Sequence, residues 1–171
     1  LGYGRMGKAI EKFALERGHK IIYTLDESEE KGVLTNADVA INFSIPQAAA
    51  DNIKSALKKQ IPVVCGTTGW LEQYQEVVDF CKTQNSAFLY ASNFSIGVHL
   101  FFKMSALASK LMKPHETSYT PSIEEIHHIH KLDAPSGTAI TLAEAVLQNS
   151  KLNEWELNGN SESKLIIKAF R

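Results

Sequence analysis

The sequence has few cysteines, little net charge and no long apolar run, and each of these excludes some classes of protein. Among 171 residues there are two cysteines, Cys65 and Cys81, too few for a disulfide framework, so free thiols in a reducing compartment are expected. A formal net charge of −1 gives no basic surface for nucleic acid or an anionic membrane. No apolar run reaches the roughly 18 residues of a membrane-spanning helix, and the first residues given lack the charged-then-apolar organisation of a signal peptide. We therefore expect a cytoplasmic protein without nucleic-acid or membrane partners.

The composition that remains is that of an ordinary globular protein. Hydrophobic residues make up 44% of the chain and charged residues 22%, enough apolar material for a sizeable core. A glycine-rich loop stands at 2–7, where a buried strand normally precedes such a loop, and a strand-like run at 164–170 has no partner in view. We expect the natural protein to extend beyond both ends of this sequence.

Apolar periodicity predicts an α/β protein in two parts. Strand-like runs at 20–24, 39–43, 61–65 and 87–91 alternate with helical patterns, which favours a parallel sheet covered on both faces. The first helical face carries Ile10, Phe13, Ala14 and Arg17 and ends at Gly18, and further helices are predicted at 46–59 and 71–83. We assign 1–93 to a Rossmann-type, dinucleotide-binding domain.

The rhythm changes after residue 93. A long helix is predicted at 96–112, an extended run at 122–131, a turn at 133–137, a helix at 138–148 and a strand at 164–170. This order suits a second α+β domain, 94–171, which we expect to be partial.

The opening loop, GYGRMG, has the spacing G-x-G-x-x-G in Gly2, Gly4 and Gly7. Glycines allow a tight turn and a close backbone approach, while the amides at the start of the following helix face a pyrophosphate. Asp26 closes the next strand-like run at about the 20-residue spacing of an acid that binds the ribose hydroxyls. An ordinary glycine turn into a helix is the alternative, and dinucleotide binding is the better explanation.

The choice between NADH and NADPH stays open at this point. Glu27, rather than an arginine, follows Asp26 and favours NADH. Arg5 and Lys31 are nevertheless cations that could neutralise the 2′-phosphate of NADPH.

Three further loops follow the predicted strands 39–43, 61–65 and 87–91, and open α/β sheets bind ligands at such strand ends. They supply small backbone approaches, hydroxyls and aromatic edges suited to a nicotinamide ring. For Ser44 a helix cap is an equal alternative, and Gly69 can merely end a turn. The candidates are Phe43, Ser44, Gly66, Thr67, Thr68, Gly69, Ser92, Asn93 and Phe94.

The densest cluster of chemically active residues is EIHHIHKLDAPSGT, at 125–138. On a strand, alternation would place His127 and Lys131 on one face and His128 and His130 on the other. The end of this motif opens a helix whose amides and hydroxyls create an anion site. The set suits a small dicarboxylate whose ring also receives a proton. The residues predicted at the helix start are Ser136, Gly137 and Thr138.

Structural alternatives compete for the same residues. Three histidines within four positions could bind zinc, but no Cys, Asp or Glu at familiar ligand spacing joins them, so no metal site is predicted. Ser136 is expected to cap the helix in addition to any binding role. His130 taken alone is best explained as a packed structural histidine.

These segments together resemble a known family. GYGRMG, CGTTG, ASNFSIGV and EIHHIHKLDAPSGTA are similar, in order, to the motifs of 4-hydroxy-tetrahydrodipicolinate reductases, and they span Gly2 to Ala139. The resemblance implies a nicotinamide-binding Rossmann domain, a substrate domain on a mixed sheet, a homotetramer, and NADH- or NADPH-dependent reduction of a small dicarboxylate in lysine biosynthesis. Asn42 stands where the family often has Asp.

The resemblance also implies roles for individual residues. Pyrophosphate would contact Gly4, Arg5 and Met6, with Asp26 on the adenosine ribose. His127 matches the family's proposed proton donor and Lys131 its catalytic partner, with water a possible relay. Around the nicotinamide would lie Phe43, Gly66, Thr68, Ser92 and Phe94. The substrate carboxylates would be held by His128, Ser136, Gly137 and Thr138, with Thr68 bridging cofactor and substrate.

Three other functions remain open on sequence grounds. A different Rossmann oxidoreductase could act on another small carboxylate. A non-catalytic NAD(H) sensor would need Gly4 and Asp26 but not the His-Lys-Ser-Gly-Thr array. A metal-dependent hydrolase would use His127, His128 and His130.

Overall fold

The computed structural model describes residues 1–27, 29–129, 131 and 133–171. They form two compact units, Leu1–Ser92 and Asn93–Arg171. Among the described residues, no helix combines the length and the apolar character that crossing a membrane would demand.

The first unit alternates helices and strands, as the periodicity predicts. Three strands, Ala40–Asn42, Val63–Cys65 and Phe88–Tyr90, pair in that order and in parallel, with Ala40 opposite Val63 and Val63 opposite Phe88. Parallel neighbours need long crossovers, which the helices Pro46–Leu57 and Tyr74–Thr83 provide. The elements are α1 (Arg5–Glu16), β1 (Tyr23–Leu25), β2 (Glu30–Gly32), β3 (Ala40–Asn42), α2 (Pro46–Leu57), β4 (Val63–Cys65), α3 (Tyr74–Thr83) and β5 (Phe88–Tyr90), with short 3-10 helices at Leu34–Asn36 and Leu71–Gln73.

The first two residues lie between β1 and β3. The Gly2 N–H donates to the Leu25 carbonyl at 2.8 Å, and the Phe43 N–H donates to the Leu1 carbonyl at 3.0 Å. The Leu1 amino group donates to the Ile41 carbonyl at 2.8 Å. These bonds bring the glycine loop to the carboxyl ends of both strands, which is where a Rossmann-type fold holds a dinucleotide.

The core of this unit forms between α2 and the sheet. Ala49, Ile53, Ala56 and Leu57 of α2 are fully buried, at the spacing of one helical face. Small alanines let the helix approach the strands closely, and Val63 of β4 is buried in the same core. Pro46 occupies the first turn of α2, where its missing N–H costs nothing.

The second unit is built on one three-stranded sheet with a helix packed against it. The last strand, Leu165–Phe170, lies between the other two and is parallel to both, with Ile123 opposite Ile167 and Trp155 opposite Leu165. The helix Gly137–Leu147 packs against this sheet, and Ala143, Leu165 and Ile167 are fully buried in the core between them. The elements are α4 (Ile96–Met112), a 3-10 helix (Lys113–His115), β6 (Ser122–Ile126), α5 (Gly137–Leu147), β7 (Trp155–Leu157) and β8 (Leu165–Phe170).

Several boundaries differ from the sequence predictions. β2 and β7 were not predicted, because three-residue strands carry no readable alternation and are defined by their partners. The resemblance implies a mixed sheet, whereas every pairing among the described residues of β6, β7 and β8 is parallel. The helix predicted at 96–112 is confirmed at both ends.

The strand predicted at 122–131 is the largest difference, because β6 ends at Ile126. The His127 N–H still donates to the carbonyl of Phe170, the last residue of β8, at 3.1 Å. Beyond that bond the described residues show no further strand pairing for this segment, and the Lys131 N–H donates to the His128 carbonyl at 3.0 Å. The predicted placement of His127 and Lys131 on one strand face is therefore wrong.

Candidate active site

The opening glycines form a loop that is tight on its inner side. Gly2 has a φ of +77°, and a Cβ there would lie 2.5 Å from the Phe43 carbonyl oxygen. A Cβ on Gly7 would lie 2.5 Å from the Gly2 carbonyl oxygen. Neither position has room for a side chain, because the backbone of Phe43 lies against Gly2 and the backbone of Gly2 lies against Gly7.

Gly4 stands in the opposite situation. It is the N-cap of α1, without a side-chain cap, and a Cβ built on it meets no heavy atom within 4 Å. Arg5 and Met6, both exposed, occupy the first turn, whose N–H groups have no partner within the helix. Open space before a helix N-terminus fits a phosphate, so the residues present fit the pyrophosphate of a dinucleotide.

Asp26 lies beside the same loop. It directly follows β1, and the Leu25 carbonyl accepts from both Gly2 and Tyr3, at 2.8 and 2.9 Å. The Asp26 side chain is exposed, and its Oδ1 accepts the Glu27 N–H at 3.0 Å. An exposed carboxylate at this strand end suits the hydroxyls of a ribose.

Phe43 and Gly66 are in contact at the ends of β3 and β4. A Cβ on Gly66 would lie 2.2 Å from Cε1 of Phe43, so the ring lies against the glycine backbone. The Gly66 N–H donates to the Asn42 carbonyl at 3.0 Å, which joins the two strand ends. Two of the predicted nicotinamide-binding residues are thus brought together.

Asn42 is a buried polar residue whose importance the sequence did not reveal. Its Nδ2 lies 3.5 Å from both Cys65 Sγ and Thr67 Oγ1. Its Oδ1 is buried and has no hydrogen-bond partner among the described residues. A buried amide with an unsatisfied oxygen has a high desolvation cost, here at the carboxyl end of β3. Such an unsatisfied group is more typical of a functional site than of a packed core.

The other residues predicted around the nicotinamide are distributed over both units. The alternative that Ser44 caps α2 is wrong, because the N-cap is Ile45 and Ser44 Oγ instead donates to the Ile45 carbonyl at 3.4 Å. Thr68 and Ser92 are half-buried in the first unit, after β4 and β5 respectively, whereas Phe94 is exposed and belongs to the second unit.

The histidine and lysine segment follows β6 in the second unit. The His127 side chain is half-buried, and His128 is exposed. Lys131 is half-buried, and its Nζ donates to Asp133 Oδ1 at 2.5 Å. The ion pair holds the ammonium close to its own loop, a contact that residue spacing alone did not predict. His130 and Leu132 lie outside the described residues, so the prediction for His130 has no structural counterpart.

Ser136 caps α5, as predicted. Its Oγ accepts the Ala139 N–H at 3.1 Å. Gly137 and Thr138 then form the first turn, where helical N–H groups have no partner within the helix and attract anions. The cap is confirmed, and the amides beside it form a site suited to a carboxylate.

Glu125 is the functional candidate that the sequence argument missed. Its carboxylate is buried and accepts the Ser136 N–H at 3.0 Å through Oε1 and at 3.2 Å through Oε2. Oε2 also lies 3.1 Å from His127 Nε2. Burial acts to raise the pKa of Glu125, but hydrogen bonds from Ser136 and His127 outweigh it and hold that pKa below its ordinary value. Its position two residues before His127 was the available signal.

Arg171 supports the same loop from the end of β8. Its Nε donates to the Lys131 carbonyl at 3.1 Å, and its Nη2 donates to the Asp133 carbonyl at 2.6 Å. An arginine fork suits two carbonyls of one turn. No local sequence pattern connects Arg171 with a loop so far away in the chain.

A cluster of metal ligands is not found in the described part of the chain. No group of three or more His, Cys, Asp or Glu side chains is arranged there to hold an ion. The zinc-site alternative also involves His130, which lies outside the described residues.

Comparison with known families covers almost the whole sequence. The family described as "Dihydrodipicolinate reductase, N-terminus" matches residues 1–94. The family described as "Dihydrodipicolinate reductase, C-terminus" matches residues 97–171. The two matches meet close to the division between the two structural units.

Curated relatives carry one shared name. A 4-hydroxy-tetrahydrodipicolinate reductase of Christiangramia forsetii is 51% identical, over 100% of this chain and 72% of the relative. The protein of the same name from Methanocaldococcus jannaschii is 40% identical, over 74% of this chain and 45% of the relative. The chain thus aligns with nearly three quarters of one relative and less than half of the other.

A solved structure has a similar fold. It is described as dipicolinate-bound dihydrodipicolinate reductase from Paenisporosarcina sp. TG-14. The sequence identity is 26% and the TM-score 0.53, with 78% of this chain and 52% of the other covered.

Proposed function

The chain belongs to the dihydrodipicolinate reductase family, and from this premise we propose that it catalyses the NAD(P)H-dependent reduction of 4-hydroxy-tetrahydrodipicolinate or dihydrodipicolinate to tetrahydrodipicolinate, in the diaminopimelate route to lysine. The observation that carries the proposal is the arrangement around the start of α5. There a capped helix N-terminus, an ammonium and a carboxylate-bound imidazole are provided by one short segment. Such a combination suits a doubly anionic ring that must also gain a proton.

The proposed substrate contacts follow from the second unit. The amides of Gly137 and Thr138, with Ser136, bind one carboxylate at the positive end of α5. His128 contributes to the carboxylate contacts, and we assign Thr68 a role with both cofactor and substrate. Lys131 provides a positive charge that stabilises negative charge developing on the substrate. His127 or Lys131 delivers the proton.

The proposed cofactor contacts follow from the first unit. When bound, the reduced nicotinamide supplies the hydride. Gly2, Gly4 and Gly7 shape the loop, and the amides of Arg5 and Met6 hold the pyrophosphate at the start of α1. Asp26 accepts hydrogen bonds from the adenosine ribose. The nicotinamide side is formed by Phe43, Ser44, Gly66, Thr68, Ser92 and Phe94.

We further propose that NADH is preferred over NADPH. Lys31, one of the two cations available for a 2′-phosphate, is paired with Glu29 at 2.8 Å. Glu27 follows Asp26, so two acidic side chains stand where the extra phosphate would need positive charge. A higher kcat/KM for NADH than for NADPH is expected, and the reverse order would contradict this argument.

We propose a homotetramer in the cytoplasm, as the family resemblance implies. α4 supports self-association, because it exposes large apolar side chains such as Ile96, Met104 and Leu111. An apolar stripe of this kind is usually covered by another protein surface. Size-exclusion chromatography with light scattering would measure the mass, and a monomer at micromolar concentration would refute the assembly.

The test of the reaction is oxidation of NADH and NADPH by the purified protein, with the freshly generated product of the preceding synthase as substrate. Turnover is expected with both cofactors. NADH binding without turnover would instead support the sensor function. Elemental analysis of the same preparation addresses the hydrolase alternative, which requires stoichiometric zinc or iron.

Replacement of Lys131 tests the substrate side. Lys131→Ala should lower kcat by about 100-fold or more, because charge stabilisation and proton transfer both depend on the ammonium, while the Kd of NADH stays the same. Lys164→Ala is the matched control, since Lys164 lies just before β8, pairs with Glu154 at 3.0 Å and belongs to none of the proposed contacts. Unchanged turnover in Lys131→Ala would reject the role of this lysine.

A further inference from the structure

One buried carboxylate contacts both ends of the proposed catalytic segment. Glu125 lies in β6, just before the segment begins, and is only 9% exposed. It accepts from the backbone N–H of Ser136, where α5 starts, and its Oε2 lies 3.1 Å from Nε2 of His127. The carboxylate therefore joins the end of the strand to the start of the helix, with His127 bound to it.

The chemistry of a carboxylate decides which ring nitrogen carries hydrogen. An ionised carboxylate only accepts hydrogen bonds, so Nε2 of His127 must be the donor at this contact. A neutral imidazole has one protonated nitrogen, which leaves Nδ1 as the basic atom. Protonation of the ring then adds its proton at Nδ1.

We propose that Glu125 is a positioning residue that holds His127 as the Nε2–H tautomer, so that Nδ1 is the atom that exchanges the proton with the substrate. The proton-transfer role of Nδ1 depends on the proposed function, whereas the tautomer depends only on the contact between Glu125 and His127. Glu125 touches neither cofactor nor substrate in this scheme. It acts through His127 and through the Ser136 amide, which it holds at the N-terminus of α5.

The two partners of Glu125 agree with an ionised carboxylate. Ser136 and His127 together hold its pKa below the ordinary glutamate value despite burial. Removal of the charge without change of shape, in Glu125→Gln, replaces one acceptor oxygen by an NH₂ group that cannot accept from either partner. Glu124→Gln is the matched control, because Glu124 is the exposed neighbour on β6 and pairs with Lys168 at 3.6 Å.

The first experiment reads the tautomer without any turnover. Long-range proton–nitrogen NMR spectra of ¹⁵N-labelled protein, recorded where imidazoles are neutral, identify the protonated ring nitrogen of each histidine. His127 is assigned by the signals lost in His127→Asn. We expect the Nε2–H form in wild type and in Glu124→Gln, and a mixture of both tautomers in Glu125→Ala. An Nδ1–H form in wild type, or an unchanged tautomer in Glu125→Ala, would overturn the proposal.

The second experiment reads the catalytic consequence. Glu125→Gln should lower kcat by about 10- to 100-fold, because the general acid His127 loses the partner that orients it. The Kd of NADH should stay unchanged. Glu124→Gln should keep the wild-type kcat. A wild-type kcat in Glu125→Gln would reject the positioning role. If the wild-type protein itself shows no turnover, the proposed function fails, while the NMR result still decides the tautomer.

Discussion

A methyl group at Gly4 would test whether the opening loop is shaped for a dinucleotide. Gly4 has an ordinary φ of −80°, and a Cβ built there meets no heavy atom within 4 Å. The folded chain therefore has room for the methyl group of Gly4→Ala. The substitution loses about 0.5–1 kcal/mol because alanine is a poorer N-cap than glycine, and some further stability because the Gly4 ψ of −149° lies outside the regions that alanine prefers. In a chain of this length each kcal/mol lowers Tm by about 2–4 °C.

The same methyl group should act much more strongly on the bound state. It would extend into open space at the start of α1, where we place the pyrophosphate. A hydrogen bond to a charged group contributes about 1.5–3 kcal/mol. Loss of one such bond raises Kd by roughly 10- to 100-fold, since 1.4 kcal/mol corresponds to about a factor of ten.

Two measurements on the same preparation separate these effects. Calorimetry gives the Kd of NADH, and thermal unfolding without ligand gives Tm. Gly97→Ala in α4 is the matched control, because the nearest heavy atom to its Cβ would be Ser95 Oγ, at an ordinary 3.7 Å. A wild-type Kd in Gly4→Ala would refute a pyrophosphate at this loop. A collapse of Tm would refute the open space on which the reasoning depends.

Three more outcomes follow from local geometry. In Gly66→Ala the new Cβ would lie 2.2 Å from the Phe43 ring, so the ring must move. Urea unfolding should show that the free energy of unfolding falls by about 1–3 kcal/mol, and calorimetry should show weaker NADH binding. An unchanged Kd for NADH would mean that Phe43 does not contact the nicotinamide. Ile53→Ala empties a fully buried position and should cost about 2–5 kcal/mol in urea unfolding, and no loss would contradict the described core. The depressed pKa of Glu125 means that its carboxylate stabilises the fold above the ordinary glutamate pKa of about 4.3, and that this contribution is lost as the pH falls below that value toward the folded-state pKa. Stability measured against pH should therefore fall less steeply on the acid side in Glu125→Gln, and equal slopes would refute the linkage.

Local patterns predicted most of the helices and the order of elements. The helix at Ile96–Met112 is confirmed, as are the start of α2 at Pro46 and the Ser136 cap of α5. The stop after α1 is confirmed by the φ of +81° at Gly18. These features depend on side-chain periodicity, a fixed φ or a single hydrogen bond within one turn, and all of these are properties of neighbouring residues.

Pairing between distant segments decided what the sequence left open. β6 pairs with β8 from Ser122 to Ile126, and no periodicity in the predicted run at 122–131 marks that boundary. Leu1 and Gly2 reach the strand ends through bonds to Leu25 and Phe43, which lie far along the chain. The roles assigned to the site residues themselves stay predictions.

The residue types needed for anion binding and proton transfer were present in the sequence, in one continuous segment that could be found without coordinates. The folded chain decided how they are held: it buried Glu125 against His127 and Ser136, paired Lys131 with Asp133, and placed Phe43 on Gly66. The physical reason is that a motif specifies which groups are available, whereas hydrogen-bond geometry and burial depend on chain segments that meet only when the core forms.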